Sequence, residues 1–335
     1  MAAYTTVDDP ELFFQCKTYS GSSSDVTVTF DGTNDMQPDI VWLKKRGGTG
    51  DHLIYDSVRG TNKRLQPNSQ DPEVDRSSNN DELKSFNSDG GTLGTFNSNV
   101  TGAGSTNVSW NWKESATAGL DIVSYTGTGV GRTISHNLSA VPDWMVVKDR
   151  EANNRDWQVY AGDETDALAL NNTDATGDSD VYWNDTAPTS SVFSVKFGAT
   201  NTDGEEHIAY IFTSVQGYSK MGFYHGNGNV DGTFIHLGFR PAWFMIKRTN
   251  ANEQWEVVDN KRSVNNPVND VLVPNGDAAE IAAATGNRIY CDFCSNGVKL
   301  RGNASSANES GGIFFYVAFA EQPFVNSNGV PNNAR

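Results

Sequence analysis

A chain of 335 residues, 37% hydrophobic and 20% charged, is long enough for two or three domains with buried cores and too apolar for a disordered or fibrous polymer. Its formal net charge of −16 repels phosphate backbones and anionic bilayers, which makes nucleic acid a poor partner class. No stretch approaches 18 consecutive apolar residues, so no membrane-inserted helix is expected, and three cysteines cannot build a disulfide framework.

The chain opens on "MAAYTTVDDPELFF", which has neither a basic segment nor an apolar run behind it, so no signal peptide is expected. Without a secretory signal, the Asn-x-Ser/Thr sequons at Asn99, Asn107, Asn137, Asn171, Asn184, Asn303 and Asn308 read as by-products of polar turns. Within the opening, "DDPELFFQ" places an Asp cap before a Pro, which predicts one short helical turn.

From Tyr19 the sequence starts a pattern that it uses three times. "YSGSSSDVTVTFDGTNDMQPDIVWLKK", "YTGTGVGRTISHNLSAVPDWMVVKD" from Tyr125 and "YHGNGNVDGTFIHLGFRPAWFMIKR" from Tyr224 share one plan. Each runs Tyr-x-Gly, a polar loop, a short strand, and a Pro followed six residues later by a Lys (Lys44, Lys148, Lys247). Eighteen residues past each Pro stand Asp56, Tyr160 and Asp259, ending the apolar strands "HLIYD", "WQVYA" and "WEVVD"; Arg59 and Arg262 follow in the first and third copies, and suggest an Asp–Arg pair holding a loop. "FNSDGGTL" and "FCSNGVKL" read as hairpins whose Asp-Gly and Asn-Gly pairs need positive φ. Each copy closes on an alternating strand, "VSWNW", "IAYIF" or "YVAFA".

The predicted fold is therefore all-β: tandem antiparallel β-sandwiches, jelly-roll or lectin-like, with very little helix. The expected units are 1–115, 116–217 (the divergent one) and 218–325, with 326–335 as a tail. "DAAEIAAAT" (Asp277–Thr285) predicts a second helical turn.

No motif predicts chemistry. "YTGTGVG" has the wrong glycine spacing for a dinucleotide loop, no helix follows it, and its counterparts in the other copies scramble the glycines; it reads as a turn. Cys291 and Cys294 lack a second ligand pair for zinc and a helix for thioredoxin-like chemistry. The carboxylates near Asp31, Asp178 and Asp203 miss calcium-loop spacing, and no Ser, His or carboxylate stands out as catalytic. Neither an enzymatic activity nor a metal or cofactor is expected. Trp42, Trp144 and Trp243, with Trp110, Tyr210 and Phe319 in the closing strands, recur at matched places and read as core. Trp157, Trp183 and Trp255 fall nearer loops and are the candidate sugar-stacking rings.

Several of these motifs, "YDSVRGTNKRL", "FNSDGGTLG" and "VSWNWK" in the first unit and "GYSKMGFYHGNGNVDGTFIHLGFRPAWFMIKRT", "VVDNKR", "SNGVKLR" and "FFYVAFAEQPF" in the third, resemble a repeat family in virion proteins of tailed bacteriophages, common in marine phages and cyanophages. The resemblance covers nearly the whole chain and carries no catalytic residues. It implies a structural protein assembled in the host cytoplasm and located in the virion. Its implied partners are other tail or capsid proteins, copies of itself and a host-surface glycan. Its implied role is a tail-fibre or appendage component in host attachment, or a capsid decoration. A first repeat beginning within twenty residues leaves little room for an anchor and stalk, which favours a compact knob. Outside the virion, the rival readings are a free lectin and a glycan-processing protein.

Overall fold

The computed structural model describes residues 4–95, 98–283 and 288–332. The ends of the first unit and the tail, Phe96 and Asn97, and the Ala284–Thr285 end of the expected second helical turn lie outside the described residues.

The alternating runs form an all-β structure of packed antiparallel sheets. Three sheets share one strand order. The first runs Phe14–Ser20, Thr106–Trp112, Ile40–Lys45, Leu53–Asp56. The second runs Leu120–Thr126, Glu206–Phe212, Trp144–Asp149, Gln158–Tyr160 and adds Asp166–Ala169 and Gly177–Asp178 at its edge. The third runs Ser219–His225, Ile313–Pro323, Phe239–Arg248, Trp255–Asp259. The closing strand of each unit therefore lies in the middle of its sheet, paired on both sides. That position explains why both faces of "VSWNW" and "YVAFA" are buried although the runs alternate.

Each sheet has two apolar faces. One packs on a smaller sheet of its own unit. These are Val26–Val28 with Gly91–Leu93 and Leu83–Phe86, Arg132–Ser135 with Val192–Val195, and Phe234–His236 with Gly297–Leu300 and Cys291–Cys294. The opposite faces of all three converge on one shared core, which includes Trp42, Trp110 and Trp112 of the first unit, Trp144, Trp157 and Phe212 of the second, and Trp243, Trp255 and Phe319 of the third. The rings meet edge to face and tilted: Trp42 on Trp110 at 5.5 Å, Trp110 on Trp243 at 6.2 Å, Trp112 on Trp243 at 5.8 Å. Such contacts add about 0.5–1.5 kcal/mol each beyond the area they bury.

Three expectations are corrected. The described part of that turn, 277–283, is not helical: Ile281–Ala282 pair with Asp270–Val271 as a short strand, and the Glu280 N–H is already spent on the Arg46 carbonyl. Tertiary contacts override the local preference. In "FCSNGVKL" the hairpin loop is Ser295–Asn296, with Gly297 the first strand residue, and neither Asn296 nor Gly297 has positive φ. Gly297 is needed for close approach, since a Cβ there meets the Ile235 carbonyl oxygen at 2.1 Å. In "SDGG" the left-handed residue is Gly90, at φ +89°.

The pairing also shifts the alignment of the copies. Ile40 lies opposite Asp56, Trp243 opposite Asp259, and Met145 opposite Tyr160. Measured back from Lys44, Lys148 and Lys247, the partner of Trp144 is Ala161, one residue past Tyr160, because the second unit's connecting loop is one residue longer. Likewise Trp112, Phe212 and Phe319 are counterparts, and Trp110 and Tyr210 correspond to Val317.

Candidate functional site

The residues that recur at matched places meet at the three seams between units, and they do so cyclically. His52, Trp157 and Trp255 are counterparts, and each sends a ring nitrogen across a seam. His52 Nε2 lies 3.0 Å from the Val273 carbonyl of the third unit. Trp157 Nε1 donates to the Gln66 carbonyl of the first at 3.0 Å, and Trp255 Nε1 to the Ala169 carbonyl of the second at 2.9 Å. Three residues past each crossing strand's buried Leu, an Asn side chain (Asn68, Asn171 or Asn275) accepts the backbone N–H of that same His or Trp.

The three lysines follow the same rule. Lys44 reaches the carbonyls of Asp277 and Ala278, Lys148 those of Gln70 and Arg155, and Lys247 those of Thr173 and Arg248. All three are fully buried. Burial holds each ammonium down to about 8, with nearby carboxylates pulling the other way.

Beside these braces, two seams carry a buried charge network. Where the second unit meets the first, Asp56 holds the Arg59 Nε and also accepts from the Tyr210 hydroxyl across the seam at 2.7 Å. Arg59 continues to Glu73 at 2.9 Å, and Glu73 takes two bonds from Arg150 of the second unit. Burial alone depresses the Arg59 guanidinium, but Asp56, Tyr210 and Glu73 carry it well above its ordinary value. Burial raises Glu73, and Arg150 and Arg59 outweigh it to hold the carboxyl low. Where the first unit meets the third, Asp259 binds Arg262 and accepts Trp110 Nε1 at 2.9 Å. Arg262 lies over the Trp110 ring at 5.5 Å and reaches Glu280, which Arg46 grips in a fork at 2.7 and 2.8 Å.

The third seam has none of this network. Ala161 replaces the Asp, half-buried Glu164 the Arg three residues past it, Val317 the ring donor, Thr249 the counterpart of Arg46 and Arg150, and Thr176 the Glu; the Thr176 N–H and hydroxyl both donate to the Thr249 carbonyl, at 2.8 and 3.1 Å. Ala161 and Val317 join the shared apolar core.

The candidate sugar-stacking rings are corrected here. Trp157 and Trp255 are 0% exposed and Trp183 is 1% exposed. The first two are the seam braces above, and Trp183 packs against Tyr160 at 5.8 Å between the sheets of the second unit. None offers a face to a ligand. The sequence alone could not separate a loop-flanking surface Trp from one whose indole N–H caps a neighbour's carbonyl. The repeated Asn that pins the backbone beside it was the available signal.

The other candidates lie where the turn reading puts them. In "YTGTGVG" the N–H groups of Gly127, Thr128 and Gly129 are bound by the Glu205 carbonyl, the Asn201 side chain and the Asn201 carbonyl. Those three donors are therefore spent inside the protein. Cys291 is buried and Cys294 half-buried, both are free thiols, and burial raises both. Asp31 is paired with Lys17 and Lys261, and Asp180 with Lys196. Among the described residues, no three His, Cys, Asp or Glu side chains converge as a metal site, and no helix is long and apolar enough to cross a membrane.

The fold and its seams define a three-lobed all-β protein whose recurring polar residues bind the lobes to one another. A family model described as "Domain of unknown function (DUF7483)" matches residues 9–323, and the chain belongs to that family. The match runs through all three sheets as one domain. No curated protein matches the chain.

Proposed function

We propose that the protein is a non-enzymatic structural component on the exterior of a tailed-phage particle, of tail-fibre or appendage type. The observation that carries this reading is the use of the recurring residues. The Asp–Arg pairs, the lysines and the seam tryptophans, which would be the natural carriers of chemistry, are consumed as internal braces. What remains is a rigid acidic body, which suits assembly and solubility. The motifs that resemble phage virion repeats supply the setting. Contact with a host-surface glycan, if the appendage makes it, does not run through Trp157, Trp183 or Trp255.

A second role, decoration of the capsid, is favoured by the cyclic arrangement of three lobes about one core. Such a body can meet a three-fold site with a similar surface from each lobe. Mass spectrometry of purified particles is expected to find the protein at a copy number tied to tail or capsid symmetry. Its absence from particles, or hydrolysis of host polysaccharide by the purified chain, would sink the proposal.

A further inference from the structure

The second unit differs from the others at one more place. Its sheet carries the extra edge strands Asp166–Ala169 and Gly177–Asp178, and beside them opens a groove of about 210 Å³. Gln158 lines it while only 3% exposed, and its amide pairs with the hydroxyl of half-buried Tyr182, which forms one wall. That one bond does not exhaust the amide, which has a second N–H and a carbonyl oxygen.

The counterparts of Gln158 are closed off. In the first unit the position is Leu53, packed with Leu83 in an apolar cluster. In the third it is Glu256, whose carboxylate is filled by Arg288 at 3.0 Å and the Ile289 N–H at 2.6 Å. Among the described residues, the second unit's copy of this position lines a groove.

We infer that this groove binds a single neutral sugar residue. Its lining offers both kinds of hydrogen-bond partner that a polyol needs. Asp156 Oδ1 is fixed by Gln70 at 2.8 Å and Asn171 at 2.7 Å, and its second oxygen takes no donor among the described residues. The Asn172 Oδ1 accepts the Asp174 N–H at 3.0 Å, which turns its amide donors outward from that contact. Ala169 and Gly177 add little bulk to the lining, and Tyr182 adds an aromatic ring against which a sugar's C–H face can rest. Among the described residues no third carboxylate joins Asp156 and Asp174 as a metal cluster, and the two repel a phosphate or an acidic sugar. The inference stands apart from the virion reading, since a chain can bind sugar here in or out of a particle.

The test uses the purified full-length chain on a printed glycan array, followed by titration calorimetry with the methyl glycoside of the best-bound terminal sugar. Binding is expected. Gln158→Leu, which installs the residue that the first unit carries, and Tyr182→Ala are each expected to weaken it about tenfold or more. Circular dichroism should show both variants folded, Tyr182→Ala with a lower melting temperature because its ring packs on the second unit's core. A blank array overturns the inference, as does sugar binding that both variants keep. Calcium binding that Asp174→Asn abolishes, with no sugar bound, overturns it in favour of a cation site.

Discussion

Two seams of this molecule are held by buried ions and the third by alanine, valine and threonine. The difference teaches that the charged solution is one of two that the same backbone accepts. The loss is also complete on both sides. Where the second unit has Ala161 and Thr176 in place of an Asp and a Glu, the third has Val317 and Thr249 in place of a ring donor and an Arg. A half-replaced network would bury a lone charge, at a cost of several kcal/mol. The molecule carries the full network or none.

The sharpest way to break this comparison is to make a half-network. Asp259→Ala leaves Arg262 with Glu280 as its remaining carboxylate and orphans the Trp110 N–H, and is expected to cost about 3–5 kcal/mol in urea unfolding. The double change Asp259→Ala with Arg262→Leu copies the third seam's logic, and should recover a large part of that loss. If the double variant is no more stable than the single, the two kinds of seam are not interchangeable.

Trp255→Phe tests the braces common to all seams. It keeps an aromatic ring of smaller volume and removes the donor to the Ala169 carbonyl, for an expected loss of about 1–3 kcal/mol. The lysine braces give a pH signature. With the folded Lys148 held down to about 8 and the unfolded group near its ordinary ~10.4, the unfolded chain binds more protons between those values. Stability from this residue therefore rises with pH across that window, whereas below it both states are charged and the full burial penalty stands. Relative to Lys148→Met, the parent should gain stability from pH 8 to pH 10 in parallel urea titrations. The smallest effect belongs to the uncharged seam. Thr176→Val removes one hydroxyl bond and keeps the N–H bond, so under about 1 kcal/mol is expected.

Much of this was legible before any coordinates. Period-2 strands, the Pro-to-Lys spacing and the Asp56–Arg59 and Asp259–Arg262 pairs gave the all-β class and a structural role for those arginines. The glycines of "YTGTGVG" read as a turn and are one. What the sequence hid was the third dimension of the repeat. A Trp beside a loop looks exposed until another lobe covers it, and that partner lies 91 residues away for Trp157 and 86 for Trp255. The off-by-one at Tyr160 has a similar cause: a single extra loop residue is invisible to spacing, and only strand pairing reveals it. The Gln158 groove rests on what its counterparts lack, so no local motif announces it.

Joining three like lobes in one chain has an evolutionary consequence. A homotrimer writes every substitution three times, so a change that helps at one position must be tolerated at two more. Here each lobe mutates alone. That freedom allows one seam to shed its ions while two keep them, and one lobe to open a pocket at a position that its neighbours fill with Leu53 and Glu256.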